Sequence, residues 1–192
     1  MSTLLEPRPY RFTREKFHKL MAAGILKQEV RVELVDGELV IVPPPSLRHA
    51  ATVRALHSVF HRRLADRCVV DVKSPIILEE YSEPQPDVQL IRLDRPDVPA
   101  RASNALLVVE VAESSLEFDR KVKLKLYAEA GVPEVWILNL LENAIETHHT
   151  PRGAQYEVAR VYRPGGKVAS QAFPEVEFEV KELLPEAVDL PD

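Results

Sequence analysis

Three residues of this chain sit where their chemistry is conspicuous: Asp87, Glu110 and Lys123. Asp87 opens a segment, Asp87 to Leu93, that reads as a β-strand. Glu110 interrupts Ala105-Leu106-Leu107-Val108-Val109-Glu110-Val111, an otherwise apolar run suited to a central strand covered on both faces. Carboxylates seldom occupy such positions without a partner. If the two strands are neighbours, their carboxylates repel, and a bound Mg²⁺ or Mn²⁺ removes that penalty because hard cations prefer oxygen ligands. Asp87 and Glu110 are therefore the expected metal ligands. The competing reading makes Asp87 a loop cap and Glu110 half of a structural ion pair.

Lys123 lies in a helical pattern, Lys121 to Ala130, closed by Gly131. Its spacing puts it on one stripe with Leu126, Tyr127 and Ala130, whereas Lys121, Lys125 and Glu129 share another. An ammonium on an apolar stripe needs an anionic partner, unless its stem packs on the core while its head reaches water. Glu33, between Val32 and Leu34, is a fourth candidate. It reads as a further metal ligand, often through water, as a general base, or as a solvent-facing carboxylate of an antiparallel pair. Arg48, His49, Arg54, His57, His61, Arg62 and Arg63 give one long helix a basic side, open to phosphate contact or simply solvated.

Other polar residues carry less. His57 and His61 have the spacing of a zinc pair, but Ser58 stands where a metalloprotease needs glutamate. His148 and His149 are neighbours on a predicted strand and point to opposite faces. Ser114-Ser115 lacks the Gly-x-Ser-x-Gly setting of a hydrolase nucleophile and reads as a turn, and Trp136 reads as core.

The elements that must position these groups follow from periodicity and turn chemistry. A helix is predicted from Thr13, as N-cap, to Ala23, with Phe17, Leu20 and Met21 inward and Gly24 as its stop. Val30 to Val35 and Glu38 to Val42 form a β-hairpin about Asp36-Gly37. Pro43-Pro44-Pro45 ends it, and a helix runs from Ser46 to about Asp66 with Val53, Leu56, Phe60 and Leu64 on its apolar face. Strands are expected at Cys68 to Val72, Pro75 to Leu78, Val135 to Leu138, Ala144 to His149, Tyr156 to Tyr162 and Val176 to Val180, the later ones separated by Pro151-Arg152-Gly153 and Pro164-Gly165-Gly166 turns.

The 192 residues, 45% of them hydrophobic, suffice for one α/β domain spanning the chain, and no repeat or linker divides it. The start contains Glu6, Pro7, Arg8 and Pro9, and no apolar run approaches membrane-spanning length, so the expectation is a cytosolic protein without membrane contact. The single Cys68 excludes an intramolecular disulfide and fits a reducing compartment. A net charge of −5 argues against coating nucleic acid by bulk electrostatics, though a local basic patch beside an acidic metal site stays open.

Taken together, the residues resemble the PD-(D/E)xK phosphodiesterases of restriction-endonuclease-like fold: Pro86-Asp87 looks like the first motif and Glu110-Val111-Ala112 like the second. The chain is most similar to the bacterial Uma-type family of putative restriction endonucleases, through Val32-Glu33-Leu34-Val35-Asp36-Gly37, Ser46 to His49, Tyr81 to Asp87, Val108 to Val111, Ser114-Ser115, and Asp119 to Trp136. Ala112 stands in the position of the motif lysine; in this family the lysine comes from the next helix, which maps to Lys123. Val135 and Asn139 also depart from the aromatic and acidic residues expected there.

The resemblance implies a mixed sheet flanked by helices and a metal-dependent nuclease acting on DNA. Asp87 and Glu110 would hold Mg²⁺ or Mn²⁺, with Lys123 and Glu33 completing the catalytic set. Arg48, His49, Arg54, His57 and His61 would contact nucleic acid. A homodimer is one arrangement consistent with this, because one such site cleaves one strand. The alternative from another class is a catalytically silent nucleic-acid or protein interaction module on the same fold. A purely structural protein would pair Lys123 with a surface acid away from Glu110.

Overall fold

In the computed structural model, which describes residues 8–26 and 29–185, the apolar runs become strands of a mixed sheet. Glu6 and Pro7 lie outside the described residues. Helix α1, Arg14–Ala22, starts at Thr13, whose side chain accepts a hydrogen bond from the Lys16 amide. Strands β1, Val32–Val35, and β2, Glu38–Ile41, form a separate antiparallel ribbon turned at Asp36 (φ 50°) and Gly37 (φ 83°). Two successive positive φ values are what a tight two-residue hairpin turn demands. A Cβ on Gly37 would also lie 2.6 Å from Arg11 Cβ.

Ser46 caps helix α2, Leu47–Leu64, by accepting from the His49 amide at 3.1 Å. Strands β3 (Cys68–Val72), β4 (Ile76–Ile77), β5 (Val88–Arg92), β6 (Ala100–Arg101) and β7 (Ala105–Ala112) follow. A helix in three parts comes next: α3, Leu116–Phe118, a π-helical turn, Asp119–Lys123, and α4, Leu124–Glu129. The chain continues through β8 (Glu134–Asn139), β9 (Ala144–Arg152), β10 (Gln155–Tyr162), β11 (Lys167–Val168), β12 (Phe178–Glu179) and α5 (Val180–Leu183).

The main sheet has the order β10-β9-β8-β7-β5-β3. β7 and β8, joined through the three-part helix, run parallel, and the other neighbours are antiparallel. One face carries α2, whose Val53, Leu56 and Phe60 pack with Leu90, Leu107, Val109 and Trp136. The other face carries Tyr127 and Val132 against Val108 and Val135. The central strand β7 is thus covered on both sides, which is why its sequence is apolar apart from Glu110.

Several boundaries differ from the predicted ones. β1 begins at Val32, since Val30 is exposed and has no strand partner across from it. The helix before β8 starts at Leu116 and not at Lys121: the Asp119 amide already donates to the Ser115 carbonyl, and the polar Glu117, Asp119 and Arg120 hide this first turn from a periodicity reading. Val176 to Val180 is mostly not strand; only Phe178–Glu179 pairs, and Val180 begins α5 behind a Glu179–Glu182 capping box. Pro151 stays within β9 opposite Tyr156, so that turn moves to Gly153-Ala154. Pro75 to Leu78 contracts to Ile76–Ile77, which pairs in parallel with Ala100–Arg101. Among the described residues no helix is long and apolar enough to cross a membrane. Cys68 is a buried free thiol whose pKa burial pushes up to about 11.

Candidate functional site

Val88 of β5 stands opposite Val109 of β7, so Asp87 and Glu110, each one residue further along, meet where β5 begins. Asp87 Oδ2 accepts the Val111 amide at 2.9 Å and lies 3.1 Å from His49 Nε2, which α2 brings from its first turn. Glu110 Oε1 accepts the Tyr127 hydroxyl at 2.6 Å and the Lys123 ammonium at 3.2 Å. The same Nζ is 3.1 Å from Glu33 Oε2 and 3.9 Å from Asp119 Oδ1.

Each partner is itself held. Arg31 donates to Glu33 Oε1 at 2.8 Å while also engaging the Gln85 side chain and carbonyl. Ser115 Oγ donates to Asp119 Oδ2 at 2.7 Å. The π-helical turn gives the lysine its place: the Leu124 amide reaches back five residues to the Asp119 carbonyl, and both Asp119 and Lys123 are buried on the cleft side. Glu33, Asp87, Glu110, Asp119 and Lys123 line one cleft of about 200 Å³ together with Arg31 and His49.

Burial and charge set the protonation of these groups. Burial alone would lower the Lys123 pKa, but Glu110, Glu33 and Asp119 more than offset it and raise it, so the ammonium persists. The Glu110 carboxyl is pushed up to about 8, chiefly by burial; Lys123 opposes this, and the neighbouring Asp119, Asp87 and Glu33 add to it. Burial also raises Asp119, against the pull of Lys123 and Ser115. For Asp87, burial is outweighed by the His49 hydrogen bond and charge, the Val111 amide and Lys123, which hold its carboxyl below the usual range. Two adjacent carboxyls are therefore pushed in opposite directions, Asp87 below the usual range and Glu110 above it.

Among the described residues no three His, Cys, Asp or Glu side chains converge into a ready-made metal cage. The donor set instead suits Mg²⁺ or Mn²⁺, since Mg²⁺ keeps several waters and is bound through one or two carboxylates plus substrate phosphate. The hydrogen bonds to Asp87 and Glu110 fall on Oδ2 and Oε1, which leaves the second oxygen of each for a cation. Glu33 Oε2 is also buried, facing the Lys123 ammonium at 3.1 Å.

The structure thus brings Glu33, Asp87, Glu110 and Lys123 together. Lys123 pairs with Glu110 inside the protein, unlike the arrangement a purely structural role predicts. The residues read as a basic side are dispersed. Arg48 donates to the Leu140 carbonyl at 2.6 Å, and His49 is occupied with Asp87. Arg54, His57 and His61 lie on the exposed flank of α2, where the two imidazoles stack at 5.7 Å. Arg63 covers the Phe178 ring at 4.7 Å.

Sequence reasoning missed Asp119, Tyr127 and Arg31 as members of the cluster. The i, i+4 spacing of Asp119 and Lys123 was the available signal.

A family model described as Uma2, "Putative restriction endonuclease", matches residues 14–181. Among solved structures, a "putative nuclease belonging to DUF820 from Anabaena variabilis" is similar, with a TM-score of 0.70 and 16% sequence identity over 90% of this chain and 97% of that one. At that identity the likeness is one of fold. No curated protein matches the chain.

Proposed function

The chain belongs to the Uma2 family, described as putative restriction endonucleases, and from that premise we propose that it is a metal-dependent endonuclease hydrolysing phosphodiester bonds in DNA. The observation that carries this reading is the single cleft in which a buried ammonium, Lys123, stands 3.2 Å from Glu110 and 3.1 Å from Glu33 with Asp87 beside them. Among the described residues four acidic side chains share that cleft with two fixed cations, Lys123 and Arg31. An unneutralised cleft of that charge would repel a phosphodiester, so a divalent cation is part of the reading.

Asp87 and Glu110 would hold Mg²⁺ or Mn²⁺, which when bound supplies Lewis-acid stabilisation of the substrate's charge. The chain's own groups supply the rest. Lys123, charged at any working pH, orients the attacking water or donates to a phosphate oxygen as negative charge builds on it. Glu33, with one oxygen tied to Arg31 and the other 3.1 Å from the Lys123 ammonium, would accept the proton of a water oriented by Lys123. His49 and the Val111 amide fix the Asp87 carboxylate, and Tyr127 fixes that of Glu110, so neither must reorganise during reaction.

The test is a cleavage assay with Mg²⁺ and Mn²⁺ on single-stranded DNA, duplex DNA and RNA, with Asp87→Asn and Lys123→Ala as controls. Metal-dependent cutting that falls at least about 100-fold in each variant is expected, the usual cost of removing a group that stabilises transition-state charge. Equal cutting by all three proteins places the activity elsewhere. A wild type that cuts nothing favours the interaction module.

A further inference from the structure

The acidic cleft has an apolar wall that metal-assisted hydrolysis does not require. The chain has six phenylalanines. Phe12 and Phe17 pack in the cluster beneath α1, and Phe60, Phe173 and Phe178 pack in the main core. Phe118 belongs to none of the hydrophobic clusters and makes no ring-ring contact among the described residues. It sits half-buried at the end of α3, lining the cleft directly before Asp119. From the hairpin side Val40, Ile41, Val42 and Pro43 line the same cleft, and Ile41 is 68% exposed. A single exposed aliphatic side chain calls for no explanation. An aromatic ring with no core to join, one residue from the ion-pair network, does.

Resting on the nuclease reading, we propose that the cleft takes an unpaired nucleobase of the substrate strand against Phe118, so that the substrate class is single-stranded or locally unpaired DNA. The aromatic group nearest any phosphodiester in a nucleic acid is a base of an adjoining nucleotide, so that base is the stacking partner within reach of a ring beside the phosphate-handling groups. In a duplex each base face is covered by its neighbours, and a protein ring gains it only where the strand is unstacked. The charge distribution agrees. Duplex binding draws much of its affinity from many phosphate contacts, whereas the net charge is −5 and the cleft's cations, Lys123 and Arg31, are already ion-paired. Base stacking is the sequence-tolerant source of affinity left to such a site.

The experiment compares three probes of one length: oligo(dT), a blunt duplex containing it, and a base-free strand of tetrahydrofuran abasic units with the same backbone charge. Cleavage is measured with Mn²⁺ and binding by fluorescence anisotropy in EDTA, for wild type, Phe118→Ala and Phe118→Tyr, each with its melting temperature. Wild type is expected to bind and cut oligo(dT) at least about tenfold better than either other probe. Phe118→Ala brings the preference for oligo(dT) over the base-free strand toward unity, mainly through KM, and Phe118→Tyr, which keeps the ring, restores it. Cleavage of oligo(dT) by Phe118→Ala with wild-type KM, or a wild type that prefers the duplex, overturns this inference and leaves the nuclease reading standing. Failure of wild type to cut any strand removes both.

Discussion

Lys123 is the residue on which the charge balance of the cleft turns, because the buried carboxylates Glu33, Glu110 and Asp119 all approach its one ammonium. Removing one member of a buried ion pair leaves its partners uncompensated, at a cost of about 3–5 kcal/mol. Lys123→Ala is therefore expected to lower the unfolding free energy read from urea titration by that amount as well as abolish cleavage; an unchanged free energy would mean that the carboxylates do not depend on it. Glu134 makes a separate, pH-dependent contribution. Its buried carboxylate accepts from Trp136 Nε1 and the Gln171 amide, each at 2.7 Å, yet burial still pushes its pKa up to about 7 from an ordinary 4.5. The folded state thus holds this proton more tightly than the unfolded one. Glu134 costs no ionisation penalty below about pH 4.5, an increasing one as pH rises to about 7, and a constant one above. Glu134→Gln should therefore gain on wild type by about 3 kcal/mol between those limits in urea titrations; a difference independent of pH contradicts the assignment. At this scale Asp87 and Glu110 were legible as carboxylates in apolar strands. Asp119 was not, because Glu117, Arg120 and Lys121 around it are the polar background of any exposed helix face. Tyr127 read as plain core because nothing in its spacing reveals the hydroxyl's partner.

Among the elements, the hairpin was legible and the helix before β8 was only half so. Asp36-Gly37 announced its turn because few residue pairs accept two positive φ values. The register that follows puts Glu33 on β1, a strand buried along its whole length, although simple alternation also allowed a solvent-facing carboxylate. Burial on both faces comes from packing across the ribbon, which Val32-Glu33-Leu34 cannot display. Gly37→Ala would meet both a positive φ and the Arg11 side chain, and should cost about 1–3 kcal/mol. Since β1 carries Glu33, cleavage should fall with stability; a variant matching wild type in both respects would show that the turn does not set the position of Glu33. The π-helical turn was illegible, since its wider spacing depends on how Asp119 and Lys123 settle into the cleft and not on a local motif.

For the whole molecule, an α/β domain was foreseeable from the apolar runs and the mixed sheet with its flanking helices from the family resemblance, whereas the two-residue strands β6 and β11 fall below the length at which pattern speaks. We infer that the chain is one domain, because a single apolar cluster extends from Val53 to Leu184. Urea unfolding followed by far-ultraviolet circular dichroism and by the fluorescence of the fully buried Trp136 should then give coincident transitions; separated midpoints would divide the chain. The fold alone does not choose a function, so the nuclease reading stands or falls on whether Asp87 and Glu110 accept a divalent cation beside Lys123. Calorimetric titration of Mn²⁺ into wild type, Asp87→Asn and Glu110→Gln measures this directly. Saturable binding by wild type that weakens at least about tenfold in each variant is the expected result. A wild type that takes up no Mn²⁺, or binding that both variants retain, contradicts the account.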